Sequence, residues 1–426
     1  MNVPYNKIGR TVMLFAPAKY GNSICKFFNN LQYLSNIRFV KNNQKRVLQS
    51  LKEEVKYRKL KVVFLCFEPA KWKCQSLYDL LLQSQYFEPL ILVSKWTFKN
   101  MTKESVIENY KFFKQKKMNV EYAYDVENDI YLSLEQFKPD IIFYGEPWGI
   151  QYLQAPLKVS EYALMLYVPY FIANTFDDVE YGLDFHQYLF KHYIINNLAR
   201  DFYAPRMKNK GKNLKIVGHP QLDYFYLGKD KNIENKGYVI YAPHWSVSGK
   251  NIGYGTFLWN GEFILRYAKK HPEINWVFKP HPALKKWLFN NKIWTKEQID
   301  SYWKDWEKIA FKYESGDYLD IFAQSKAMIT DCGSFLTEYF VTEKPVIHLI
   351  SENSVGFNPS AEAVVKNYYK AYNINDLEGL LDKVILNNQD YMKELRIKSI
   401  QELNFAGVYA SQNILDDIEK ELNLIK

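Results

Sequence analysis

With 426 residues, 47% of them hydrophobic, the chain is long enough to bury two cores, and two domains is the expectation. Charged residues make up 24% and no low-complexity tract occurs, which argues against a disordered or fibrous chain. The net charge is +9, and +7 of it lies between Arg38 and Lys61, where nine basic residues meet two acids, leaving +2 for the rest.

Residues 1–59 read as a basic helical segment. Its start carries no apolar core of a secretory signal, and the longest apolar run, YALMLYVPYFIA (162–173), is too short to cross a bilayer and contains Pro169. Val47, Leu48, Leu51 and Val55 share one helical face with basic residues around them. Such a helix either packs on its own domain or lies on an anionic membrane through residues 38–61, at roughly 1 kcal/mol per basic residue. Nucleic acid is not an expected partner, because no recognition helix or aromatic RNA-binding signature accompanies the charge. Cys25, Cys66, Cys74 and Cys332 are scattered without metal or redox spacing, which suits reduced thiols. The expected location is the cytoplasm, peripheral on the inner membrane face if the basic helix docks there.

From residue 60, short apolar runs alternate with helical stretches. KVVFLCF (61–67), PLILVS (89–94), VEYAY (120–124), DIIFYG (140–145), VPYFIA (168–173), HYIIN (192–196) and LKIVG (214–218) read as strands. Helices are expected at 74–85 and 103–115. The series restarts with a strand at 238–243, a helix at 256–270 and a strand at 275–280. A helical stretch from Thr295, a helix near 317–325 and a strand at 327–330 follow. A helix opening near Ser334 and a strand at 345–350 complete it. Continuous apolar strands alternating with helices predict parallel sheets covered on both faces. The fold class is therefore α/β, with two Rossmann-like domains facing across a cleft. The division is placed at 60–212 and 213–374, with 228–237 as the other candidate joint. Helices from 375 to 426 are expected to pack back on the first half.

Ligands of parallel α/β sheets bind at the carboxyl ends of strands. Three polar clusters of the second half fall there. YAPHWS puts His244 just past one strand, and WVFKPHP puts Lys279 and His281, two residues apart and so on one side, at the end of the next. The third is AMITDCGSFLTEYF (327–340). Its helix start suits a phosphate, Gly333 allows close approach, and Thr330 and Ser334 add hydroxyls. Glu338 lies four residues after Ser334, outside a capping box but on the same face, where a carboxylate can hold a ribose diol. Lys279 supplies the charge, and His244 or His281 a proton donor or acceptor. His348, inside an apolar strand, reads as a core residue, and His271 as a helix-end residue. No carboxylate, His or Cys cluster has metal-ligand spacing, so no metal or separate cofactor is expected.

GHPQLD (218–223), APHW (242–245), KPHP (279–282) and ITDCGSFLTEYFVTEKPVIHL (329–349) together resemble the CDP-glycerol glycerophosphotransferase family of teichoic-acid and capsule polymerases. The resemblance covers about residues 214–350. It implies the GT-B fold, a CDP-linked donor and transfer of a phosphopolyol to a growing polysaccharide or lipid-linked acceptor. By position, Lys279 and His281 match the family's K-x-H-P pair. Thr330, Asp331, Gly333 and Ser334 occupy its T-D-Y-S-S turn, and Glu338 takes the place of the following acid. Cys332 and Gly333 replace Tyr and Ser there, and Gln221 replaces the Arg of G-x-P-R-x-D. The family's W-H-G-T-P-like acceptor motif has no counterpart. FYGEPWGIQ (143–151) stands in its region, with Glu146 as the candidate base and His186 as a further candidate. Two other functions remain open: a GT-B glycosyltransferase using a nucleotide sugar, and a non-catalytic scaffold of a capsule assembly complex.

Overall fold

The computed structural model describes residues 21–98, 101–176, 180–227, 234–247, 252–313, 318–403 and 409–425. In the first half the strands are β1 (Leu60–Cys66), β2 (Phe87–Val93), β3 (Val120–Tyr122), β4 (Tyr124–Asp125), β5 (Ile130–Tyr131), β6 (Ile141–Tyr144), β7 (Leu164–Tyr167), β8 (Lys191–Ile194) and β9 (Leu214–Ile216). Seven of them form a sheet in the order β3-β2-β1-β6-β7-β8-β9, every adjacent pair parallel. The second half adds β10 (Tyr238–Ala242), β11 (Trp276–Phe278), β12 (Ala310–Lys312), β13 (Ser325–Thr330), β14 (Val346–Leu349) and β15 (Tyr369–Ala371). They make a parallel sheet of order β12-β11-β10-β13-β14-β15. In each sheet the winding reverses once, between β1 and β6 and between β10 and β13. Those switch points leave a crevice at the carboxyl ends of the strands.

Burial follows the two-residue strand period. Val239 and Tyr241 of β10 pack into the core on one face of its sheet, and Ile240 and Ala242 into the core on the other. Both faces are covered, so the strand must be apolar throughout, as its sequence is. Each such fully buried Val or Ile contributes about 1.5–3 kcal/mol.

The long helix Gly21–Glu54 turns Val40, Val47 and Leu51 into the first core, with Val55 just past its end. Gln44 fixes it to the sheet, donating to the Ala163 carbonyl at 2.8 Å and accepting from the Met165 N–H at 3.0 Å. The Val40–Val47–Leu51 face is thus inside the protein, while Arg38, Lys41, Lys45 and Arg46, with Phe27 and Leu34 nearer the helix start, are exposed.

Three sequence expectations shift. The strand placed at 168–173 lies upstream at Leu164–Tyr167, because Pro169 cannot donate to a ladder; 168–173 is a loop, with the Tyr170 N–H on the Gly145 carbonyl at 2.9 Å. The division at 212 separates β9 from the sheet it completes, since the first sheet runs to Ile216 and the second begins at Tyr238. Of the other candidate joint, 228–233 lies outside the described residues, as do Asp317 and residues 1–20. Finally, the tail divides. Leu377 and Leu381 pack in the second core, whereas the helix Ala410–Glu421 crosses to the first, burying Ile414, Leu415 and Ile418 there. Asp417 on that helix accepts from the Tyr193 hydroxyl at 3.1 Å.

Candidate functional site

The second domain's rim is built around Asp331, which follows β13 and is buried. Its Oδ1 accepts from the His244 N–H at 2.6 Å, and its Oδ2 from the N–H and hydroxyl of Thr256 at 2.6 and 2.7 Å. One carboxyl group therefore pins the loop after β10 and the start of the helix Phe257–Lys270. Burial raises its pKa to about 6, against those hydrogen bonds. Thr330 is similarly engaged: its hydroxyl donates to the Ala242 carbonyl at 2.7 Å and accepts from the Cys332 N–H at 3.0 Å. Both residues were expected to touch a ligand. Their polar atoms are taken up by hydrogen bonds within the frame.

His244 is held by Ser246, whose Oγ accepts from the N–H groups of Tyr254 and Gly255, leaving its own proton for His244 Nδ1 at 2.8 Å. His281 Nδ1 accepts from the Ala283 N–H at 3.1 Å. In both rings Nδ1 is an acceptor, so the neutral ring carries its proton on Nε2. The rings lie 5.2 Å apart. Burial lowers the pKa of His244 to about 3 and of His281 to about 4, with Lys279 adding to the latter. At neutral pH they are hydrogen-bond donors rather than bases.

Lys279 is buried among aromatic faces, its Nζ 5.0 Å from the ring centres of Tyr318 and Phe335 and 5.5 Å from that of Tyr313. Among the described residues no carboxylate pairs with it, and burial lowers its pKa to about 8. Beside it the helix Gly333–Phe340 begins. Its cap residue Cys332 makes no full side-chain cap hydrogen bond, only a weak approach of its thiol to the Phe335 N–H, and the N–H groups of Gly333 and Ser334 face the cleft at the start of the helix. A Cβ on Gly333 would come within 2.9 Å of the Tyr254 ring, so glycine is required for this packing. Ser334 lies on the same turn, half-buried, its hydroxyl 3.6 Å from the Cys332 sulfur.

Glu338 is buried one turn on. It accepts from Gln221 Nε2 at 3.0 Å and from the Tyr318 hydroxyl, and burial raises its pKa. The Tyr318 hydroxyl also accepts from Lys73 Nζ of the first domain at 3.0 Å, so this network spans the cleft. Asn174 makes a second crossing, donating to the Gly333 carbonyl and accepting from the Thr337 hydroxyl at 2.6 Å.

On the first domain's rim, Glu146 follows β6 and is buried, its Oε2 2.9 Å from Lys71 Nζ. Burial raises its pKa to about 7 despite Lys71. Its pocket is shared with Lys73, which reaches Tyr318. His186 is not at the cleft. It is fully buried against His192, with ring centres 5.0 Å apart, and burial lowers its pKa to about 3. His348 is buried in β14, and His271 ends its helix against Glu273 at 2.9 Å. Among the described residues no group of three or more His, Cys, Asp or Glu is placed to hold a metal ion.

No protein-family model matches the chain, and no curated protein does. Solved structures do. A variant of the wall teichoic acid polymerase TagF aligns at a TM-score of 0.58 and 13% identity, over 93% of this chain and 98% of that one. A TagF structure soaked with CDPG aligns at 0.56 and 13%, with the same coverage. The S. aureus MnaA–UDP co-structure gives 0.56 and 15%, over 86% and 98%. The UDP-GlcNAc 2-epimerase of Neisseria meningitidis, bound to UDP-GlcNAc, gives 0.53 and 15%, over 85% and 100%. The fold is GT-B. What these proteins share with the chain is that architecture, which the sequence led us to expect.

The GT-B cleft brings His244, Lys279, His281, Gly333, Ser334 and Glu338 to one rim and Glu146 to the other. Sequence reasoning passed over Lys71, Lys73, Asn174 and Tyr318. Lys71 and Lys73 carried a usable signal, because EPAKWKC follows β1 as KPHP follows β11. Asn174 and Tyr318 lie in loops and matter only through contacts across the cleft.

Proposed function

We propose that the chain is a GT-B transferase that moves glycerol phosphate, or a similar phosphopolyol, from a CDP-activated donor to a hydroxyl of a growing surface polysaccharide or teichoic-acid-like acceptor. The observation that carries this is Lys279: a buried ammonium without a carboxylate partner, beside an uncapped helix start and two imidazoles with protons on Nε2. Such a set suits a diphosphate. The acceptor oxygen attacks the phosphorus that bears the polyol. The bond from that phosphorus to the bridging oxygen breaks, and cytidine monophosphate leaves with the bridging oxygen. The acceptor's proton passes to Glu146, whose raised pKa suits a base near neutrality. Lys279, His281 and His244 stabilise charge on the leaving phosphate, and Glu338 accepts from the ribose hydroxyls.

The neighbours with UDP or UDP-GlcNAc favour a second reading, a glycosyltransferase with a nucleotide-sugar donor, for which the same rim serves. No described helix is long and apolar enough to cross a membrane. An anionic membrane surface would be met by the exposed basic residues of 38–61, with Tyr57 exposed among them.

Thermal shift with CDP and UDP tests the reading. The favoured nucleotide at 100 times Kd should stabilise by about 2.7 kcal/mol, and Lys279→Met should abolish the shift. Stabilisation by CDP favours the phosphopolyol, and by UDP the sugar. If neither nucleotide binds, the chain is a scaffold.

A further inference from the structure

We infer that the first domain carries a subsite for an uncharged sugar unit of the acceptor, in the cavity between the loops that follow β1 and β2 and the helix Lys103–Gln115. The inference rests on the transferase reading and deepens it. The cavity has a volume of about 290 Å³, at the small end of the range for small-molecule sites. It opens at the carboxyl ends of β1 and β2, on the cleft side of the sheet.

Two observations point to a ligand there. Asn109 is fully buried on the inner face of its helix. Neither its Nδ2 nor its Oδ1 makes a hydrogen bond among the described residues, apart from the weak approach of the Cys66 thiol. The indole N–H of Trp96, on the same cavity, is also buried and has no partner among the described residues. A buried amide and indole with nothing to bond are costly, and both facing one cavity marks a place where a polar guest completes the set.

The lining decides which guest. Asn109 offers one donor and one acceptor, and Trp96 a donor. Ser105 adds a hydroxyl, Glu68 and Glu108 add acceptors, and Phe67 and Trp96 supply apolar surface. Among the described residues no cation lines the cavity. Lys71, beside the cavity, is already paired with Glu146 and lies 3.7 Å from Glu68. Two carboxylates without a free cation repel a phosphate, whereas hydroxyls and amides on a ring with apolar faces match every group present. Lys71 also places the cavity beside Glu146. Its Nζ stands 3.2 Å over the Trp96 ring and 2.9 Å from the Glu146 carboxylate, so a sugar in the cavity lies next to the proposed base.

Saturation-transfer NMR and calorimetry with methyl glycosides of glucose, galactose and N-acetylglucosamine, against sn-glycerol 3-phosphate, test this on the full chain. At least one glycoside should bind and glycerol phosphate should not compete. Asn109→Leu should weaken that glycoside tenfold or more while holding or raising Tm, since it removes an unbonded buried amide. Glu108→Gln, an exposed substitution that leaves the core intact, should weaken it several-fold. The inference falls if no glycoside binds, if glycerol phosphate displaces it, or if Asn109→Leu lowers Tm but leaves glycoside binding unchanged. CDP and UDP binding measured on the same samples separates the two levels. Nucleotide binding without glycoside binding overturns this subsite only, and loss of both overturns the transferase reading.

Discussion

On the second domain's rim, Asp331, Ser246 and Thr330 are bonded into a frame before any ligand arrives, and that frame holds Lys279 and the helix start open. Asp331 takes three hydrogen bonds, Ser246 fixes His244, and Thr330 ties β13 to β10. On the first domain's rim the reverse holds: Asn109 and Trp96 leave buried polar atoms unbonded, and one ion pair, Lys71–Glu146, stands between two pockets. A diphosphate is recognised by charge and oriented N–H groups, which must be rigid to be worth much in a partly dry cleft. A neutral polyol is recognised by matching many weak donors and acceptors, which stay unmatched until it binds. The contrast suits a donor rim that is preorganised and an acceptor rim that its ligand completes.

The largest effect expected from breaking this contrast is at Glu146. Glu146→Gln should lower kcat by about a hundred- to ten-thousandfold, the range for a general base, without changing nucleotide Kd. It should also remove the acid limb of the pH profile. With the carboxyl pKa near 7, kcat/KM should rise as pH rises through that value and Glu146 loses its proton; above about 8 it should fall as Lys279 loses its charge. An acid limb unchanged in the Gln variant would assign the base elsewhere.

Next come the donor-rim cations and donors. His281→Ala should lower kcat by about a hundred- to a thousandfold, the cost of one donor aimed at developing charge, with Tm little changed. Equal loss in Kd and none in kcat would make His281 a ground-state contact instead. Glu338→Ala should weaken donor binding about ten- to a hundredfold, which corresponds to about 1.5–3 kcal/mol for a hydrogen bond to a charged group. Because Glu338 also bonds Tyr318 and Gln221, a lower Tm is expected as well. Normal donor affinity with a collapsed Tm would show a purely structural partner.

The smallest effect is expected from the basic helix. Replacing Lys45, Arg46 and Lys52 with Gln should reduce binding to anionic vesicles, as should added salt, because basic residues dominate the outward surface there. Arg46 also donates to the Glu161 carbonyl at 2.6 Å, so Lys45→Gln with Lys52→Gln is the control that keeps this bond. Vesicle sedimentation that neither charge nor salt alters would leave the helix with its packing role only.

The sequence by itself determined most of the strand and helix succession, though not β12, β15 or the position of β7, and the carboxyl-end position of the donor residues. Alternation of period and the Gly and Pro punctuation are local properties, and a parallel sheet fixes where its strands end. The resemblance it carried supplied the expected GT-B architecture. It placed Lys279, His281 and the 330–338 turn together because all lie within one domain, at the ends of β11 and β13, which flank β10. Tertiary structure decided everything that depends on partners distant in the chain. Asp331 and Thr330 look like ligand contacts until their oxygens are found on Thr256, His244 and Ala242. His186 looks like a candidate base until it is found stacked in the core. Lys73, Tyr318 and Asn174 join the site only because two domains meet, and β9 belongs to the first sheet because it pairs with β8. A side chain's chemistry is written at its own position, but whether its polar atoms are free for a ligand depends on which neighbours folding brings to them.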